Sequence, residues 1–366
     1  MQITNIPFHI GASDSDSNPK GIPNVLDFSL CVNEKLSLLQ QDLNDSVKDA
    51  LEKSYCFGKL IGTPLSESED GKPYADDFIK FIFDNSPGKN ALEIGCGMGY
   101  LLKRLQEHAY NVVGIEPGEG YMPYWKKYEV NVVNDFFPSR HANKLYDLVY
   151  GYMLLEHIEQ PVIFIKNVCD QLNENGVAIF AVPDCSEEIE NNDPAILIHE
   201  HISYFDKNSL CNLFKYAGMN AEIYNSKYGR SLYVVAKKDL SNSSKDTMHF
   251  NNTDLHKYLI NVENTIKMHK KLITKVSESG PTGIYCPSRA LNILDIGLDV
   301  RFFDDDPYLY KKFLPPFKNP IENLQDCLEN PPKNIIIASR TFYNKIQEKL
   351  IKGNFTGTII NLFDSN

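Results

Sequence analysis

The sequence predicts an α/β chain: a doubly wound parallel sheet followed by a second, smaller C-terminal α/β domain. Three observations predict it. Short apolar, β-branched runs alternate with amphipathic segments from Asn90 to Lys238, a triple-glycine turn closes the first of these runs, and the alternation resumes on a smaller scale after Thr282.

The elements follow in order. Residues 1–85 open on the polar stretch Ser13 to Gly21 and are expected to be irregular, with a helix over Val32–Lys53; they are read as a lid or substrate-binding segment. A core domain is then placed at 86–240. Its expected strands are Ala91–Gly95, Asn111–Glu116, Val130–Phe136, Tyr146–Tyr152, Gly176–Pro183 and Ser231–Lys238. The intervening amphipathic stretches are Leu101–Ala109, Tyr121–Tyr128, Pro161–Leu172 and Asn208–Ala217. A polar connector, LSNSSKDT at 240–247, separates this core from a domain at 241–366. There a long helix over 253–276 precedes the strands in TGIYCPS, DVRFFDDD, KNIIIAS and TGTIINLF, with helices at Ala290–Ile296 and Phe342–Ile351.

Composition narrows the classes of function. A chain of 366 residues with 42% hydrophobic and 23% charged residues has the balance of a globular protein with a sizeable core. Its longest clean apolar run, Val177–Val182, is far short of the roughly 20 residues that span a bilayer. The N-terminus lacks a basic-then-apolar signal pattern, so a cytoplasmic location is expected. The net charge of −11 disfavours a nucleic-acid partner. Lys267 to Lys275 form the one basic cluster, read as a solvated helix face rather than a phosphate site. Eight cysteines without a C-x-x-C pair suggest neither a zinc ribbon nor a disulfide framework.

Glu93, Gly95, Gly97 and Gly99 lie at the first strand-to-helix turn, where glycines let a ligand approach the backbone. A dinucleotide fingerprint would need glycine at position 100, which is Tyr, and no Gly-Lys-Ser/Thr follows to make a phosphate loop. The pattern E-x-G-x-G-x-G resembles the first motif of class I S-adenosylmethionine (SAM)-dependent methyltransferases, whose sheet is Rossmann-like. The resemblance implies that Glu116, at the tip of the second strand, binds the ribose hydroxyls. It also implies that Asp135 and Phe136 border the adenine, and that Tyr146 to Ile158 border the methionine moiety. The implied cofactor is SAM, leaving as S-adenosylhomocysteine.

The stretch Ile198 to Phe205, IHEHISYF, places two imidazoles around a carboxylate. As an extended segment it would put His199 and His201 on one face and Glu200 on the other. A metal would need further ligands, with Glu156, His157 and Asp184 as candidates, and a structural role at a loop edge is a second reading. Acid–base chemistry is preferred because the segment follows the fifth strand, on the side of the sheet where the glycine turn lies. His201 is the candidate base, with Glu200 orienting it and Tyr204 bonding a substrate oxygen, while His199 is read as structural; no metal is assigned.

This stretch, together with the second α/β domain, resembles the nucleotide-sugar C-methyltransferases that act on deoxy-ketohexoses, over roughly residues 75–366. In that family the residue matching His201 is the proposed base. Such proteins usually begin with a cysteine-rich zinc module, whereas residues 1–85 carry only Cys31 and Cys56. Tyr228 and Arg230 stand where the family has H-G-G-S, and Tyr285 to Arg289 replace its small-residue turn. Tyr228, Arg230 and Arg289 are accordingly candidate substrate contacts; the two arginines would pair with a phosphate or carboxylate, or else close ion pairs within the protein. The resulting expectation is C-methylation of a nucleotide-linked or phosphorylated sugar through an enolate. O-methylation of a sugar or small hydroxylated metabolite is the enzymatic alternative, and a non-catalytic SAM-binding module is the alternative of another class.

Overall fold

A computed structural model describes residues 1–8, 11–57, 71–141, 144–239 and 252–364. The connector at 240–247 lies outside the described residues. Three sheets organise the chain.

The first sheet is formed by β1 (Gln2–Pro7), β2 (Val25–Asn33) and β3 (Leu38–Gln41), and helix α1 (Asp45–Phe57) follows it. This corrects the expected irregular segment and the expected helix over Val32–Lys53. Period-two burial of Phe28 and Leu30 in β2 marks a half-buried strand. A turn at Ser37, with φ +52°, folds β3 back onto β2 antiparallel.

The middle sheet begins after α2 (Lys72–Asn85) with β4 (Asn90–Ile94), α3 (Tyr100–Glu107), β5 (Asn111–Ile115), α4 (Met122–Tyr128) and β6 (Val132–Val133). It continues through β7 (Tyr146–Tyr152), α5 (Pro161–Asp170), β8 (Leu172–Pro183) and the short α6 (Ser186–Glu190). The two-residue strand β9 (Ser203–Tyr204) leaves this sheet to pair with β3. Then come α7 (Lys207–Tyr216), β10 (Met219–Asn225) and β11 (Ser231–Lys238). The strand order is β10-β11-β8-β7-β4-β5-β6, with β11 antiparallel to both its neighbours and the other pairings parallel. Side chains of β7 alternate between two cores: Tyr146 and Val149 meet α5 and α7, while Leu148 and Tyr150 meet α2 and α3. Chain order reverses between β4 and β7, so a crevice opens beyond the carboxyl ends of those two strands.

Helix α8 (Thr253–Glu278) leads to β12 (Thr282–Tyr285), β13 (Arg301–Phe303), β14 (Ile321–Glu322), α9 (Leu324–Glu329), β15 (Asn334–Ile337), α10 (Tyr343–Lys352) and β16 (Thr358–Asn361). The third sheet is parallel throughout, in the order β14-β13-β12-β15-β16. The helix expected at Ala290–Ile296 is replaced by two single 3-10 turns, Pro287–Arg289 and Leu291–Ile293. Along α8, Tyr258, Val262, Ile266, His269, Ile273 and Val276 are buried at helical spacing, while Lys267 and Lys270 pair with Glu263 and Asp295 on its outer side. One hydrophobic cluster joins Phe28, Leu39, Tyr204, Tyr258, Ile284 and Ile336, so the first and third sheets share a core. Among the described residues no helix is long and apolar enough to cross a membrane.

Candidate active site

Beyond β4 the chain turns through Gly95, Gly97 and Gly99, each at positive φ (+69°, +49° and +83°), a region that costs other residues backbone strain. A side chain at Gly95 would strike Leu154, whereas one at Gly97 would meet nothing within 4 Å; the turn is braced on one side and open on the other. Glu116, just past β5, fixes this geometry: its two carboxylate oxygens accept the Gly97 and Gly118 amides, each at 2.9 Å. Burial raises the Glu116 pKa and those two amides oppose the rise. Each oxygen keeps a second lone pair for a ligand hydroxyl. The Trp125 indole donates to the Gly97 carbonyl at 2.7 Å and ties α4 to the turn. This open, amide-fixed cradle with an acid at its rim fits a nucleoside, as SAM requires.

Beyond β7, the other wall of the crevice, a 3-10 turn carries Glu156 and His157. The stretch from Ile198 to Phe205 packs against it through Ile202 N–H to the Glu156 carbonyl (2.6 Å). The first sheet holds the same stretch from outside: Gln41 bonds the carbonyls of His199 and His201 through its side chain and that of Ile202's through its backbone.

The stretch is not extended at its histidines. His201 N–H bonds the Ile198 carbonyl at 3.0 Å, closing a turn that sends the two imidazoles apart. His199 is buried between Phe8 and Phe28, whereas His201 stacks edge-on to His157 at 5.2 Å between ring centroids. Among the polar side chains of the stretch, His199, Glu200, Ser203 and Tyr204 are at most 5% exposed and His201 alone is partly open. The Tyr204 hydroxyl is spent on the Ile198 carbonyl (3.4 Å) in the shared core, which corrects its expected contact with a substrate oxygen. The Glu200 carboxylate makes no hydrogen bond to His201; instead the Glu200 carbonyl accepts from His157 Nδ1 at 2.8 Å.

Burial dominates the electrostatics. It pushes the Glu156 carboxyl up to about 8 and Glu200 well above the usual carboxylate range, with the charge of Glu156 adding to the rise at Glu200. His157 is brought down to about 4, and His201 well below 6.5 by burial, with further lowering from His157 and Arg289. Both imidazoles are therefore neutral near pH 7. Tyr55 of α1 contributes a hydroxyl that is shielded from solvent without a partner, within the fields of Glu200 and Glu156. Tyr121, buried in the turn after Glu116, feels the charges of both Glu116 and Glu200. Sequence reasoning missed these two tyrosines. The only trace of Tyr121 is its place in the stretch after Glu116, and Tyr55 has no local signal.

The other expected site residues fall as follows. Glu93 is buried and accepts the Tyr150 hydroxyl at 2.9 Å, so it braces the turn from within the sheet and is not free to contact a cofactor. Asp135 stands at the end of β6 with its oxygens taking the Phe136 amide (2.8 Å) and the Ser139 hydroxyl (2.7 Å); these bonds lower its pKa. Phe136 beside it is exposed. Arg230 is committed to Glu188 (2.7 Å) and Glu187 (2.9 Å), correcting its reading as a substrate contact. Tyr228 is exposed and packs on Tyr74. The exposed Arg289 makes no side-chain hydrogen bond or ion pair among the described residues, and its charge reaches His201.

A family model described as a methyltransferase domain matches residues 68–222. The match covers less than half of the chain. A C-methyltransferase, NovU of Streptomyces niveus, is 28% identical over 159 residues, 41% of this chain and 37% of its own. A ubiquinone biosynthesis O-methyltransferase of Rickettsia canadensis is 28% identical over 96 residues, 25% of this chain and 41% of its own. The chain thus spans less than half the length of these curated relatives. Among solved structures, a SAM-dependent methyltransferase from Thermotoga maritima is 17% identical, with 45% of this chain and 89% of that chain covered at a TM-score of 0.38. The matched residues include both the glycine turn and the Glu156–His157 and Glu200–His201 pairs.

Proposed function

We propose that the chain methylates a carbon of a nucleotide-linked or otherwise phosphorylated sugar, with His201 as the general base. The observation that carries the reading is the position of His201: it is the one partly open polar side chain of its stretch, at the ligand-binding edge of the sheet, with a neutral imidazole. Bound SAM supplies an electrophilic sulfonium methyl group. His201 takes a proton from an acceptor carbon beside a carbonyl, leaving the electron pair in an enolate whose carbon becomes the nucleophile. Glu116 and the Gly95–Gly99 turn hold the cofactor, and Arg289 offers an unpaired cation to an acceptor phosphate. The C-methyltransferase relative supports methylation at carbon.

The O-methyltransferase relatives favour a second reading, in which the same base deprotonates a hydroxyl. A screen of SAM against nucleotide sugars with NMR of the products decides: an ether methyl signal sinks C-methylation. If SAM binds by calorimetry and no acceptor turns over, a non-catalytic binding module replaces both. Replacing His201 by Gln should lower kcat by about 100-fold or more while SAM affinity holds. Unchanged turnover would remove His201 from the base role.

A further inference from the structure

Glu156 is 2% exposed, and one of its carboxylate oxygens, Oε2, is buried with no hydrogen-bond partner. Leaving a buried carboxylate uncompensated is costly unless it is protonated or meets a cation. Among the described residues no Lys or Arg pairs with it, and His157 Nε2 stands 3.9 Å from Glu156 Oε1.

The bonding of His157 shows what its Nε2 offers. The Glu200 carbonyl can only accept, so Nδ1 carries the proton in the 2.8 Å bond between them. Its Nε2 therefore presents a lone pair toward Glu156, and a backbone carbonyl fixes the ring in the manner typical of metal-bound histidines. A ligand atom from each of Glu156, His157 and His201 lies within 4.8 Å of the others.

We propose that Glu156, His157 and His201 form a divalent transition-metal site. Two imidazoles and a carboxylate suit zinc and its first-row neighbours. Three protein ligands leave at least one position for water or an oxygen of a small molecule. On binding a cation the Glu156 carboxyl gives up its proton, and its charge offsets part of that of the metal. A metal would take the lone pair that His201 needs as a base, so occupancy and proton transfer exclude each other. That consequence rests on the function proposed above; the binding does not.

The test uses the full chain, stripped with chelator and titrated with Co²⁺ by visible absorption and with Zn²⁺ by calorimetry. A single site is expected, weakened at least about 100-fold in Glu156→Gln and in His157→Asn, since even outer-shell changes cost about 10–100-fold. His256→Gln, on α8 and paired with Glu34, should bind as the parent does. SAM calorimetry on each variant confirms that it is folded. Absence of a site in the parent, or affinity unchanged from the parent in both ligand variants, overturns the proposal. Metal binding with undiminished turnover would keep the site and remove His201 as base. Turnover that depends on His201, in a chain that binds no metal, would do the reverse.

Discussion

Glu156 carries a free-energy cost that should be visible as a pH dependence of stability. Its carboxyl is raised from 4.5 to about 8 by burial, so between those values the folded chain holds a proton that the unfolded chain releases. Stability from this group is full below pH 4.5, declines as pH rises through the window and levels off above about 8. The slope is at most about 1.4 kcal/mol per pH unit. His157 acts at the other end: lowered from 6.5 to about 4, it removes stability as pH falls through that range. Glu156→Gln isolates the first effect. In chelator-stripped protein, denaturant midpoints should show the variant gaining on the parent from about pH 5 to about pH 8, and parallel curves would mean that the carboxyl titrates normally. The burial that shifts these groups was not legible from the letters. IHEHISYF reads as alternation, yet the hydrogen bond from His201 N–H to Ile198 makes it a turn, and only that turn separates a core histidine from an open one.

At the scale of elements, period and punctuation were enough for the middle sheet. Buried β-branched runs bounded by glycine gave β4, β5, β7 and β8, and the glycines of the first turn pointed to the cradle. The hairpin of β2 and β3 was not legible, because NEKLSLLQQ is rich in helix formers and its fate is set by pairing with β9, more than 160 residues away. The same is true of Tyr55, which reaches Glu200 and Glu156 only because α1 packs there. Within the cradle, Glu116 is the element-level joint, since one carboxylate bonds amides from the turns after both β4 and β5. Hydrogen bonds to a charged group contribute about 1.5–3 kcal/mol each. Glu116→Ala should therefore weaken SAM binding by about 100-fold or more, and Glu116→Gln, which keeps one acceptor, by less. Calorimetry with SAM checks the order, and affinity unchanged from the parent in both variants would show that the carboxylate does not hold the cradle.

Across the whole molecule, the C-terminal third restrains the loop that carries His201. Asn292 donates to the carbonyls of Pro194 and Leu197, Tyr258 donates to the Asp193 carbonyl, and Arg340 pairs with the Asp193 carboxylate at 2.9 Å. Partners so far apart in sequence leave no periodic trace, so the shared core of the first and third sheets was unreadable in advance. The arrangement makes the third sheet a scaffold for a site built on the second. The Asp193 side chain is 4% exposed and that of Arg340 30%. Arg340→Ala strands the carboxylate, which keeps only the Ala195 amide. A broken buried pair costs about 3–5 kcal/mol, and the remaining amide together with partial solvent access to the arginine brings the expectation to about 2–3 kcal/mol. Adding Asp193→Asn should recover part of that loss, because no unpaired charge remains. If the clamp also positions His201, turnover at a permissive temperature should fall in Arg340→Ala while SAM affinity, set beyond β4 and β5, stays unchanged. A parallel fall in both would mean that the substitution loosens the domain as a whole and that the clamp has no specific hold on the histidine turn.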